Sequence, residues 1–190
     1  KDMILKKKIN NIDKTYSDMI KQFPISELKP FEIFKSLFCQ NNYIIYEAQE
    51  NNQDIGYIII VEDNKDKFIW VDYLAVFKEF HSKGFGSSIL NKLKEQYKDF
   101  NGCYLEVEKP DKNNPNTIRR INFYKKHGAV KLPVDYYYPN KTGCLPMDLY
   151  YIPYNKTEIN NILYVIKQVF NFLHKDIENI DEIYKRIKIL

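Results

Sequence analysis

Between Tyr43 and Phe77 the chain carries three runs rich in β-branched and aromatic residues: Tyr43–Ala48, Ile55–Val61 and Phe68–Phe77. They are joined by two short polar stretches, Asn51-Asn52-Gln53-Asp54 and Asp63-Asn64-Lys65-Asp66. Connections that short cannot carry a crossover, so the three runs are expected to be antiparallel neighbours. Beyond Phe77 the pattern changes. After the stretch 78–86, Ser87–Tyr97 places Ile89, Leu90, Leu93 and Tyr97 on one helical face, and Cys103–Glu108 then alternates apolar with polar residues. Strand, helix and strand in that order require a crossover, which makes Phe68–Phe77 and Cys103–Glu108 parallel neighbours.

The flanks extend this pattern. Residues 3–9 read as a first strand. Asn11–Phe23 and Pro30–Cys39 read as helices, the first stopped by Pro24 and the second opened by a proline whose missing N–H costs nothing there. Asn116–His127 is a helix ended by Gly128, and Val130–Tyr138 and Met147–Pro153 are two last strands around a loop with Pro139, Gly143 and Pro146. The order β-α-α-β-β-β-α-β-α-β-β predicts an α/β fold of mixed type: a central mixed sheet of about seven strands with helices on both faces. From Lys156 the chain becomes purely helical in pattern, with Ile159, Ile162, Leu163, Ile166, Val169, Phe170 and Leu173 in one stripe and Ile177, Ile180, Tyr184 and Ile187 in a second. We read residues 1–154 as one domain and 155–190 as a two-helix extension that packs on the sheet, covers a cleft or serves a homodimer.

Composition excludes several functions. Of the 190 residues 28% are charged, and no apolar run approaches the ~20 needed to span a bilayer. Met3-Ile4-Leu5 is too short for the apolar part of a signal peptide, so a cytoplasmic protein without a membrane association is expected. Cys39, Cys103 and Cys144 are scattered, without a CxxC pair, and read as small apolar fillers. No set of His, Cys and carboxylates has metal spacing, so no metal is expected. The net charge of +4 comes from lysines interleaved with acids, which does not point to nucleic acid. His127 reads as a helix C-terminal residue and His174 as a surface residue of the tail.

The stretch His81-Ser82-Lys83-Gly84-Phe85-Gly86 lies between a strand and a helix, where backbone N–H groups at the helix N-terminus attract phosphate. It is not a P-loop, which needs GxxxxGK[ST]. It is not a dinucleotide fingerprint either: Ile89 stands at the third glycine position and Lys78–Lys83 separates the strand from the glycines.

Leu74-Ala75-Val76, the His81–Gly86 turn and the helix after it resemble motif A of the GNAT superfamily of acyl-CoA N-acyltransferases. Phe123-Tyr124-Lys125-Lys126-His127-Gly128-Ala129 resembles its motif B. His81 stands where that family has Arg or Gln, and Ala129 where Phe is common. The resemblance covers roughly Met3 to Pro153. It implies acetyl-CoA as cosubstrate, with pantetheine along Leu74, Ala75 and Val76 where the two parallel strands splay, and pyrophosphate held by His81, Ser82, Lys83, Gly84, Phe85, Gly86 and Ser87, with Asn116 near the cofactor. A main-chain N–H, that of Val76, would polarise the thioester carbonyl.

Tyr124 stands at the family's acid, which returns a proton to the CoA thiolate. Asp72 and Glu106 are the carboxylates able to take a proton from the attacking amine. Glu108 and Asp111 extend an acidic rim, and Asp135-Tyr136-Tyr137-Tyr138-Pro139 lines the acceptor side. The activity implied is acetyl transfer to a primary amine of a small molecule or peptide by direct attack in a ternary complex. Alternatives are a non-catalytic acyl-CoA-binding module whose tail binds a partner, and an acetyltransferase acting on aminoacyl-tRNA.

Overall fold

The computed structural model describes residues 3–190; Lys1 and Asp2 lie outside the described residues. The described residues form two compact units, 3–100 and 101–190. Its class is the mixed α/β one expected, with nine strands and six α-helices among the described residues.

In the first unit the strands run β1 (Ile4–Lys7), β2 (Tyr43–Glu50), β3 (Gln53–Asp63) and β4 (Phe68–Val76), each antiparallel to the next. The β2–β3 turn is tighter than its four polar residues suggest. Asn51 and Asn52 alone form it, at φ 52° and 63°, a left-handed pair that asparagine tolerates and that matches the strand twist. Helices α1 (Ile12–Gln22) and α2 (Phe31–Phe38) cover one face of this sheet. Tyr16 packs on Phe34, Phe34 meets Tyr43 edge-on, and Phe23 meets Tyr73. Helix α3 (Phe85–Gln96) covers the opposite face, burying Ile89, Leu90 and Leu93. Tyr97, just past its end, shares a hydrogen bond with Tyr46 on that same face and donates to Glu62.

In the second unit β5 (Gly102–Glu108) pairs with β8 (Gly143–Pro153), and β8 pairs with β7 (Val134–Asn140) and with the two-residue β6 (Val130–Lys131). The segment expected as one strand, Val130–Tyr138, is thus broken at Leu132-Pro133, where proline cannot continue a ladder. The expected loop around Pro139, Gly143 and Pro146 is instead a hairpin closed by Asn140 and Gly143. In a two-residue hairpin the closing pair exchanges hydrogen bonds. Pro139, opposite Cys144, and Pro146, opposite Tyr137, then fall at the alternate pairs, where no β7–β8 bond needs their N–H.

Helix α4 (Pro115–Lys126) packs on β5. Helix α5 (Ile162–Leu173) buries Ile162, Val165, Ile166, Val169, Phe170 and Leu173, each contributing about 1.5–3 kcal/mol before entropy. Helix α6 (Ile180–Arg186) packs on β7, and β9 (Lys188–Ile189) adds a last short ladder to β7. His174, expected at the surface, is buried edge-on between Tyr138 and Phe170. The reason is its place: it is the C-cap of α5 on the buried side of the stripe. Cys103 is a buried filler as expected, whereas Cys39 is exposed.

Buried tyrosines give this fold a pH signature. Burial pushes Tyr124 and Tyr151 up to about 12, and it raises Tyr57, Tyr97, Tyr104 and Tyr154 as well. In the unfolded chain these phenols titrate near the ordinary value of about 10. Their contribution is therefore fully present below about pH 10 and is lost as pH rises through about 12. The urea midpoint, followed by circular dichroism, should hold steady up to about pH 9 and fall steeply above about pH 10.

Candidate active site

The last residues of β4 are set by its ladder with β3. Gly56 pairs with Val76, and the Phe77 N–H donates to the Ile55 carbonyl at 2.9 Å. That bond makes Gly56–Val76 a non-hydrogen-bonded pair, so the N–H and C=O of Val76 both face away from β3. Glycine is needed at 56 for contact reasons: a Cβ there would stand 2.2 Å from the Ala75 carbonyl oxygen and 2.9 Å from Val76 Cα. His81 claims the outward carbonyl, its Nε2 lying 2.7 Å from Val76 O. A carbonyl only accepts, so the ring carries its proton on Nε2. The side chain expected to hold phosphate is here a clasp between the strand end and the turn.

Between them Lys78–Phe80 makes one 3-10 turn, and Ser82 and Gly84 adopt left-handed backbone at φ 61° and 83°. Gly84 is the N-cap of α3, without a side-chain cap, and the first turn of the helix holds no acidic residue. The positive end of α3 is therefore covered by no side-chain oxygen of its own cap. Phe85 is pinned edge-on against Phe80 at 5.8 Å, and Lys83 reaches back to the Glu79 carbonyl at 3.0 Å. Ser82 to Gly86, with Ser87 in the first helical turn, thus form one cradle of main-chain N–H groups that can receive anionic oxygens.

Asp72 has another task. The β3–β4 register slips between Ile59 and Ile60, leaving Asp72 as the extra residue of a β-bulge. Its carboxylate accepts from Lys29 Nζ at 2.7 Å and from Tyr43 Oη at 2.6 Å, and the Lys29 and Asp72 side chains are 5% and 1% exposed. The neighbouring Tyr73 hydroxyl donates to the Glu27 carbonyl and accepts from the Lys29 N–H, while Tyr16 donates to the Lys29 carbonyl. Asp72 therefore ties the α1–α2 connection to the sheet. Both carboxylate oxygens are taken by the buried Lys29 and by Tyr43, so the base role expected of Asp72 from the sequence is corrected to a structural one. Lys29, which the sequence pattern did not single out, carried no local signal: it lies between a 3-10 turn and a proline.

In the second unit Tyr124 lies on the buried face of α4, and its hydroxyl has no hydrogen-bond partner among the described residues. Burial pushes the phenol up to about 12, partly offset by Arg120 one turn earlier. At neutral pH it is fully protonated and free to donate. Glu106, on β5, accepts from the fully buried Tyr136 at 2.6 Å. Asn116 is exposed in the first turn of α4, its N–H capped by the Asn114 side chain, while the buried Thr117 hydroxyl closes the Asp111–Asn114 loop.

The acidic rim is weaker than expected, since Glu108 is ion-paired with Arg120 and the Asp111 carboxylate accepts from the Asn113 N–H. Tyr136 and Tyr138 are buried against Phe170 and His174 of the tail, and so do not line an open acceptor wall. His127 is the C-cap of α4 as expected, but burial and Lys126 lower its pKa. No group of three or more His, Cys, Asp or Glu side chains among the described residues could hold a metal.

Beside the end of β4 the first unit opens a recess of about 810 Å³ between α1 and strands β2 and β3, reaching Phe77 and His81. Tyr57 and Asp18 line it. Sequence reasoning missed both, because Tyr57 reads as an ordinary strand aromatic and Asp18 as a solvated helix residue.

The first unit thus has a strand end that feeds a left-handed turn and a helix N-terminus without a side-chain cap, in a mixed α/β fold. The family follows from comparison. The acetyltransferase (GNAT) domain family matches residues 41–128, the stretch from β2 through α4. The chain is 28% identical over 164 residues, 84% of its length and 80% of the relative's, to YjbC of Bacillus subtilis (strain 168), itself assigned only provisionally as an acetyltransferase. Among solved structures it is similar to a provisionally assigned GNAT-family acetyltransferase from Bacteroides thetaiotaomicron (TM-score 0.71, 22% identity, 88% of this chain and 96% of that one). It is also similar to a Bacillus subtilis acetyltransferase in complex with CoA (TM-score 0.56, 15% identity, 80% and 97% covered). Residues 41–128 are thus similar to the acetyltransferase (GNAT) domain, and the fold is that of GNAT-family acetyltransferases.

The Asp72 ion pair predicts a clear mutational signature. Lys29→Met leaves a buried carboxylate uncompensated and should lower stability in urea unfolding by about 3 kcal/mol, with much of that recovered on adding Asp72→Asn. An Asp72→Asn enzyme that lost activity without losing stability would restore Asp72 to the chemistry.

Proposed function

We propose that the chain transfers an acetyl group from acetyl-CoA to a primary amine by direct attack. The observation that carries this reading is the cradle at Ser82–Gly86, where left-handed backbone at Ser82 and Gly84 delivers the chain onto the bare N-terminus of α3. Such a cradle suits a pyrophosphate, and one similar fold is known in complex with CoA.

Each remaining step has a group suited to it. The outward N–H of Val76 can donate to the thioester oxygen, stabilising the charge that develops as the amine nitrogen bonds to the carbonyl carbon. As the C–S bond breaks, the thiolate takes the phenol proton of Tyr124. The amine's surplus proton leaves to Glu106 or to water; Glu106 is the carboxylate left for this role once Asp72 is tied to Lys29. The acetylated amide and free CoA thiol result, and the tyrosinate is reprotonated from solvent.

Release of free thiol from acetyl-CoA in the presence of amines tests this. Tyr124→Phe should lower kcat about 100-fold and leave the KM for acetyl-CoA within about two-fold. Gly84→Val, forced to a φ that a β-branched residue avoids, should raise that KM about ten-fold. In the wild type the donor keeps its proton to about 12, so the rate should climb with pH as the amine deprotonates towards about pH 10, with no decline from the phenol in that range. Tight CoA binding without thiol release over a broad amine panel would favour the non-catalytic module instead.

A further inference from the structure

The recess of about 810 Å³ under α1 is lined by Tyr57, whose polar end is buried. Tyr57 is 2% exposed, and its hydroxyl is buried without a hydrogen-bond partner. A buried hydroxyl left unpaired is costly, and in a native fold it marks a missing partner. Asp18 stands close enough to add to the burial that keeps this phenol protonated. One Asp18 oxygen accepts from Gln22 Nε2 at 2.7 Å, and the carboxylate stands next to the Tyr57 hydroxyl.

The remaining carboxylates of the recess differ. Glu47 is ion-paired with the buried Lys8, and Asp54 accepts from Gln49 and lies 3.7 Å from Lys14. Glu79 is exposed, as are Lys21 and Lys78, and neither lysine forms an ion pair with Asp18. Asp18 is thus a half-buried carboxylate with no ion pair among the described residues, beside the buried Tyr57 phenol. The complement of that pair is a compact cation with several donors. A primary ammonium has three N–H groups and fits it; an anion would be repelled, and a neutral hydroxyl would leave the carboxylate uncompensated.

We propose that Asp18 and Tyr57 anchor a protonated primary ammonium group, and that the acceptor of this enzyme is a small diamine. The second step rests on the acetyl-transfer reading and on acid–base chemistry. An ammonium held against a carboxylate keeps its proton and cannot be the nucleophile. An acceptor anchored here must therefore carry a second amine. The recess extends to Phe77 and His81, the residues that follow and clasp Val76, so the free end of such a molecule lies towards the end of β4.

The test uses the full chain and 1,4-diaminobutane, with 1-aminobutane as the single-amine control. By calorimetry without acetyl-CoA, Asp18→Asn should weaken diamine binding about ten-fold or more, and Tyr57→Phe several-fold. CoA affinity should be unchanged in both. Tyr57→Phe should also raise the melting temperature of the free protein, because the unpaired hydroxyl is gone. With acetyl-CoA present, the diamine should release thiol and 1-aminobutane should compete without being acetylated. Diamine binding that is absent, or equal in wild type and Asp18→Asn, would overturn the ammonium site. Equal acetylation of both amines would overturn the diamine assignment. Asp18-dependent binding without any thiol release would leave the ammonium site standing and sink the acetyl-transfer reading.

Discussion

The ladder between β3 and β4 is the constraint on which the first unit depends. Its register decides which way every main-chain group at the end of β4 points, and one missing Cβ, that of Gly56, lets the strands approach closely enough to hold that register. Because Phe77 is bonded back to Ile55, Val76 turns its N–H and C=O outward. His81 then captures the carbonyl, and the chain enters the left-handed turn that exposes the α3 N-terminus. A change at Gly56 would therefore move the main-chain groups at the end of β4 through backbone position alone.

The β-bulge at Asp72 works on the same ladder. An extra residue lets Asp72 and the adjacent Tyr73 both engage the segment around Lys29, which strict alternation would not allow. Lys29, held through its side chain, its N–H and its carbonyl, fixes the connection between α1 and α2 and hence the roof of the recess that Asp18 and Tyr57 line. The same chemistry, a carboxylate in a half-buried place, thus has two outcomes: Asp72 is neutralised by its own fold, and Asp18 is not.

The C-terminal segment shows how packing reassigns residues. Its apolar stripe is plain from periodicity, and α5 buries it as that spacing demands. Which surface it covers is a separate matter. Phe170 and His174 pack on Tyr136 and Tyr138, turning tyrosines that looked available for an acceptor into interior residues, and β9 then pairs with β7 beside them.

Local chemistry determined a good deal. Short polar turns, helical and strand periodicity, prolines at helix starts and Gly84 before an amphipathic helix were enough for the mixed α/β class, the element order and the turn that opens α3, since each depends on neighbours within a few residues. Tyr124 was singled out by a motif resemblance, and its burial and raised pKa came only from the structure. The tertiary structure alone decided the two-residue ladders β6 and β9, the hairpin through Pro139 and Pro146, the burial of His174, and the fates of Asp72 and Asp18. Except for that hairpin, these depend on how distant parts of the chain pack, as with Asp72 and Lys29, 43 residues apart. No local pattern records which carboxylate will meet a cation within the fold and which will not.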